Sequence, residues 1–169
     1  MLLRLYWTVL FVFLFSFSLF AQQPANTYPR TVGYLSIVHP IFSIYQSETV
    51  YNFKNDYTVG FPVGINILKS DKIGFSFEIT PFIKSINGNS SVSNLLFHPG
   101  IILRFPKNFS INNRLAFETS GRYGYTAVFS KVVAKTKMNN FFVAVPVPFR
   151  FGNNKSMSVG AGIQLGITF

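Results

Sequence analysis

Hydrophobic and polar residues alternate along most of this chain with a period of two. In its last segment Met157, Val159, Ala161, Ile163, Leu165, Ile167 and Phe169 fall on one face, and Ser158, Gly160, Gly162, Gln164, Gly166 and Thr168 on the other. Successive side chains of a strand point to opposite faces, so this pattern predicts a β-strand with one large apolar face and one small polar face. The grammar recurs upstream. Val59, Phe61, Val63, Ile65 and Ile67 oppose Gly60, Pro62, Gly64 and Asn66, and Ile73, Phe75, Phe77 and Ile79 oppose Gly74, Ser76, Glu78 and Thr80. Similar alternation runs through Leu95–Phe105, Leu115–Tyr123 and Phe141–Phe151.

Seven strands follow from this pattern, at residues 33–45, 57–68, 73–84, 95–105, 109–122, 139–151 and 156–169. Residues 69–72, 106–108 and 152–155 read as tight polar turns, and residues 46–56 and 85–94 as longer polar loops. Single-chain bacterial membrane barrels nearly always use an even number of strands. Residues 125–134, after a turn near Gly121 to Gly124, supply the eighth, with Tyr125, Ala127 and Phe129 on one face; if they form a loop, residues 26–31 are the substitute. About 12 residues at ~3.3 Å each, tilted ~45°, rise roughly 28 Å, close to the ~25 Å apolar band of a membrane barrel. Tyr45, Tyr57, Phe105, Phe109, Tyr123, Tyr125, Phe151 and Phe169 lie near strand ends, where aromatic girdles belong.

Composition separates a membrane barrel from a soluble one. Hydrophobic residues make up 49% of the chain, with 21 Phe and 8 Tyr, and charged residues only 12%. Soluble domains carry roughly 25% charged residues because water must solvate their surface. A soluble carrier barrel would also place charge opposite its apolar face, where this chain has mostly Gly, Ser, Thr, Asn and Pro. A helical membrane protein needs apolar runs of about 20 residues, and only the N-terminus approaches that. There Arg4 precedes the apolar stretch Leu5 to Phe20, and Ala21 ends it before Gln22 and Gln23, the layout of a secretory signal peptide cleaved after Ala21. The expected organisation is therefore a signal peptide at 1–21 and a barrel at 22–169. The net charge of +10 comes from scattered bases, which fits anionic lipid headgroups better than nucleic acid.

The closing Gly-Ile-Gln-Leu-Gly-Ile-Thr-Phe strand, behind a signal peptide and an amphipathic barrel pattern, resembles small Gram-negative outer-membrane β-barrel proteins. The resemblance implies an outer-membrane location among lipid and lipopolysaccharide. It also implies that the barrel-assembly machinery reads Ile163, Leu165, Ile167 and Phe169. It carries no catalytic or ligand-binding residue with it.

An eight-stranded barrel is narrow enough for side chains to fill, which argues against a general diffusion pore. By strand parity Glu78, Lys84, Arg104, Arg114, Glu118, Arg122 and Arg150 point inward. Buried charges must pair, so these predict an ion network in which each Glu bridges two or more Arg. The five bases outnumber the two acids, and an anion such as phosphate or carboxylate is the alternative partner. A lipid-modifying acyl hydrolase or transferase would need a nucleophile and a base within reach. The histidines, His39 and His98, are each followed by Pro with no Ser close in sequence, and strand parity leaves the direction of His39 open. Glu48, Asp56 and Asp71 are dispersed and predict no metal site; no Cys is present, and no cofactor fingerprint occurs. Tyr51 and Phe53 within residues 46–56 suit surface recognition. The expectation is a structural or surface-binding barrel, not an enzyme.

Overall fold

The computed structural model describes residues 27–46, 48–54 and 56–169. The expected signal peptide at 1–21 lies outside the described residues. Ten β-strands run in chain order: β1 (Arg30–Tyr45), β2 (Glu48–Tyr51), β3 (Asp56–Gly60), β4 (Val63–Leu68), β5 (Ile73–Ile86), β6 (Asn89–Phe105), β7 (Phe109–Glu118), β8 (Tyr123–Lys135), β9 (Asn140–Phe151) and β10 (Ser158–Thr168). All belong to one antiparallel sheet in which each long strand pairs with the next, and β10 returns to pair with β1. The sheet therefore closes into a ring, in which the long strands have a partner on both sides over most of their length.

Ten strands replace the expected eight, for two local reasons. The strand predicted at 57–68 is split because Pro62 has no N–H to give a ladder. The chain stays bonded through the break, since the Phe61 N–H donates to Pro81 O and the Ser36 N–H to Pro62 O. The predicted loop at 46–56 contains the short β2, which extends the tip of β1. Since β2, β3 and β4 pair in succession along one edge of β1, a circuit of the ring crosses eight positions.

The second predicted loop, 85–94, is not a loop. The strands β5 and β6 continue to a two-residue turn at Asn87 and Gly88, both with left-handed φ. This is the turn whose twist matches a right-twisted hairpin, and Asn-Gly favours it. The strand expected at residues 125–134 is present as β8, with Tyr125 and Phe129 exposed and Thr126, Val128 and Ser130 buried.

The two faces of the sheet separate as the alternation predicts. Ile65, Ile67, Phe75, Phe77, Leu115, Phe117, Ile163 and Leu165 are exposed on the outside, while Asn66, Ser76, Glu78, Ala116, Gly162 and Gln164 are buried inside. One end of the ring holds the turns 69–72, 106–108 and 136–139 with the C-terminus and the start of β1. Phe105 and Phe109 pack there at 5.9 Å between ring centroids, and Phe169 exchanges two backbone hydrogen bonds with Gly33 to complete the β1–β10 seam. The opposite, loop end carries Tyr123 against Phe151 at 6.3 Å and Phe53 against Tyr57 at 5.7 Å.

Tyr45 departs from the expected aromatic girdle. A β-bulge between Pro40 and Phe42 inserts one residue into β1 and reverses its parity. Beyond the bulge Tyr45 pairs with the buried Ser158, and its ring lies 5.8 Å under the Arg122 guanidinium, inside the ring. Before the bulge His39 pairs with the outward Ile163, so it faces outward, where its Nδ1 lies 2.8 Å from Tyr57 Oη.

Candidate functional site: the polar interior

Halfway along the lumen a single carboxylate collects four donors. Glu78, only 4% exposed, receives Arg114 Nη1 at 2.8 Å and Tyr34 Oη at 2.8 Å on one oxygen. The other oxygen meets His98 Nδ1 at 3.0 Å and Thr80 Oγ1 at 3.1 Å. Arg114, 2% exposed, spends its remaining donors on Tyr34 Oη and Ser76 Oγ. Two charges stay so deeply buried because the carboxylate accepts four hydrogen bonds and every nitrogen of the guanidinium has a partner. Register explains the meeting: Tyr34 pairs with Gly64 across β1–β4, Gly64 with Glu78, and Glu78 with His98. The phenol of Tyr34 passes directly over Gly64, where a Cβ would collide with its oxygen.

The network continues toward the loop end. Arg150 Nε donates to Glu118 Oε1 at 2.6 Å, and its Nη1 donates to Thr126 Oγ1 at 3.0 Å and to the carbonyls of Tyr125 and Phe149. Glu118 also accepts from Ser120 Oγ at 2.9 Å. His98 links the two ion pairs. An ionised carboxylate only accepts and a guanidinium only donates, so Nδ1 carries the proton toward Glu78 and Nε2 accepts from Arg150 Nη2 at 3.4 Å. Thr126 Oγ1 lies 3.1 Å from the same Nε2.

The other inward bases stand elsewhere. Lys84 is half exposed at the loop end and pairs with Asp56 at 2.6 Å. Arg122 is buried and donates through Nη2 to Arg150 O, Ser156 O and Ser158 Oγ, with its Nε unpartnered. Arg104 lies near the terminal end, 3.3 Å from Tyr28 Oη, and that phenol in turn donates to Asp71. Glu78 and Glu118 thus hold one Arg each, where bridging of two or more was expected. Tyr34, Ser76, Thr80 and Thr126, the neutral partners of the network, were missed by sequence reasoning. Their only advance signal was small or polar character at inward parity.

Thr126, His98 and Glu78 stand in the order hydroxyl, imidazole, carboxylate, the sequence of contacts an acyl-transfer site needs. However, Thr126 is 2% exposed, and the space beside it is about 70 Å³, room for water but not for an acyl chain. No group of three His, Asp or Glu side chains able to hold a metal occurs among the described residues.

No protein-family model matches the chain, and no curated protein matches it. Among solved structures it is similar to one described as "De novo design of transmembrane beta-barrels", at 10% identity and TM-score 0.50, covering 88% of this chain and 98% of that one. A second, the solution NMR structure of the de novo designed TMB2.3, aligns at 14% identity and TM-score 0.41 over 79% of this chain and 90% of its own. The fold of this chain resembles that of transmembrane β-barrels.

Proposed function

We propose that the chain is a small outer-membrane β-barrel of bacterial type, with a structural or surface-binding role and a lumen plugged by its own side chains. The observation that carries this reading is the Arg114–Glu78–His98–Arg150–Glu118 chain, which crosses the interior while the exterior is a belt of exposed Ile, Leu, Val and Phe. A belt of that kind suits hydrocarbon, and a satisfied ion network is a poor path for solutes. Residues 1–21 act as a cleaved export signal in this reading. The barrel-assembly machinery engages Ile163, Leu165, Ile167 and Phe169, with Phe169 already seated on the closing seam. Lipid and lipopolysaccharide are the surrounding partners, and nucleic acid is not one. The test is refolding of the chain from Gln22 into detergent, followed by gel migration with and without boiling and by conductance in planar bilayers. Heat-dependent migration without steady conductance is expected; migration indifferent to boiling would sink the barrel reading, and stable open-channel currents would sink the plug.

The Thr126–His98–Glu78 contacts favour a second reading, a lipid-modifying acyl hydrolase or transferase. Phospholipase activity of the refolded protein that disappears in His98→Ala but survives in His39→Ala establishes the enzyme in place of the structural barrel.

A further inference from the structure

The terminal end of the lumen opens into a cavity of about 580 Å³, within the size range of small-ligand sites. Six bases line it: Arg114, which is paired with Glu78, and Arg30, Arg104, Lys107, Lys135 and Lys137, which face the single acid Asp71. Asp71 is itself engaged by Tyr28 Oη. Arg104 touches only Tyr28 Oη and the Ser70 carbonyl, and among the described residues Arg30, Lys107, Lys135 and Lys137 make no side-chain hydrogen bond or ion pair. The floor adds two neutral side chains. Asn66 and Asn112, 9% and 8% exposed, line the cavity with carboxamides whose Oδ1 atoms are buried and without a partner. Those oxygens are acceptors and offer nothing to an anion, but the Nδ2 groups of the same carboxamides donate to no side chain or carbonyl among the described residues, which leaves them to donate into the cavity.

We infer that this vestibule binds a small, multiply charged oxyanion of the phosphate type, its charge met by the basic rim and its oxygens by the Asn66 and Asn112 amides. Phosphate oxygens accept several charge-assisted bonds at once, which matches a ring of Lys and Arg over neutral donors. The source is either a soluble phosphate compound or the headgroup of a lipid at this mouth. Only the soluble kind reaches the floor unhindered. The inference rests on the closed-barrel reading above.

The experiment titrates inorganic pyrophosphate into refolded protein in a neutral detergent by calorimetry. About 0.15 M salt is kept throughout, so that loose surface attraction is screened over ~8 Å. Saturable binding below about 1 mM is expected. Lys135→Gln with Lys137→Gln, both exposed, and Asn112→Leu at the floor should each weaken it about tenfold, with heat-dependent migration reporting that every variant still folds. Weakening by the rim pair and by Asn112→Leu supports a soluble ligand. If pyrophosphate is held only at the rim, and vesicles rich in phosphatidylglycerol bind wild type but not the rim pair, the headgroup is the source. A folded wild-type protein with no saturable response to either probe overturns the vestibule site and leaves the barrel standing. A chain that never shows heat-dependent migration overturns both.

Discussion

The middle of the lumen and its terminal end contain the same kinds of residue in opposite conditions. At the middle, Arg114 and Arg150 each face a carboxylate at 2.8 and 2.6 Å, and their other nitrogens meet hydroxyls, carbonyls or the His98 imidazole. At the terminal end five bases share one acid that is already engaged. An inward base is therefore not one functional class. Where the walls close and water is excluded, burial forces pairing, and the cation becomes part of the plug. Where the ring opens, charge stays solvated and free for a ligand.

The comparison breaks most sharply at Glu78. Glu78→Leu leaves Arg114 buried with no counter-charge, which costs about 3–5 kcal/mol. The thermal midpoint of the heat-dependent band shift should fall accordingly. Adding Arg114→Met removes the stranded charge, so the double variant should recover much of that loss; equal instability of single and double variants would show that shape, not charge, holds the middle together.

Much of this contrast was legible in the sequence, and the illegible part has identifiable causes. Period-2 alternation placed Glu78, Arg114, Glu118 and Arg150 on the inner face and Met157 to Phe169 on the closing strand. Alternation assigns a residue to a face but says nothing about height or register. Tyr34 lies 44 residues from Glu78 in sequence and His98 lies 20, and only the pairing of β1, β4, β5 and β6 brings them together. The bulge between Pro40 and Phe42 has a weak signature, a proline in a strand, and it turned Tyr45 inward against expectation. The hairpin tip at Asn87 and Gly88 had a strong one, overlooked among the Ser and Asn residues of 85–94. The segregation of unpaired bases to one end depends on which turns share that end, and strand parity alone merges them with the plug.

Smaller changes grade the plug itself. Gly64→Ala sets a methyl group against the Tyr34 phenol and should cost about 1–3 kcal/mol, because the ring can leave only by abandoning Glu78 and Arg114. Glu118→Gln is milder. Its side chain is 12% exposed, and Arg150 keeps the carbonyls of Tyr125 and Phe149, so a loss of about 1.5 kcal/mol is expected by chemical denaturation. A cost for Glu118→Gln equal to that for Glu78→Leu would erase the distinction between the buried centre and its loop-end margin.

The smallest effect addresses the vestibule. Lys107 and Asn108 close the three-residue turn 106–108 between β6 and β7, with φ of +59° at each. Asn tolerates that conformation, whereas a lysine in the left-handed region pays roughly 1 kcal/mol that glycine would avoid. Lysine is thus a poor choice for the turn and a reasonable one for the rim of a cavity that gathers positive charge. Lys107→Gly separates the two roles. The turn should gain up to about 1 kcal/mol of stability, seen as a raised unfolding midpoint, while pyrophosphate affinity falls. A variant that is more stable and binds equally well would mean that Lys107 serves neither fold nor ligand, and would reduce the basic rim to Arg30, Arg104, Lys135 and Lys137.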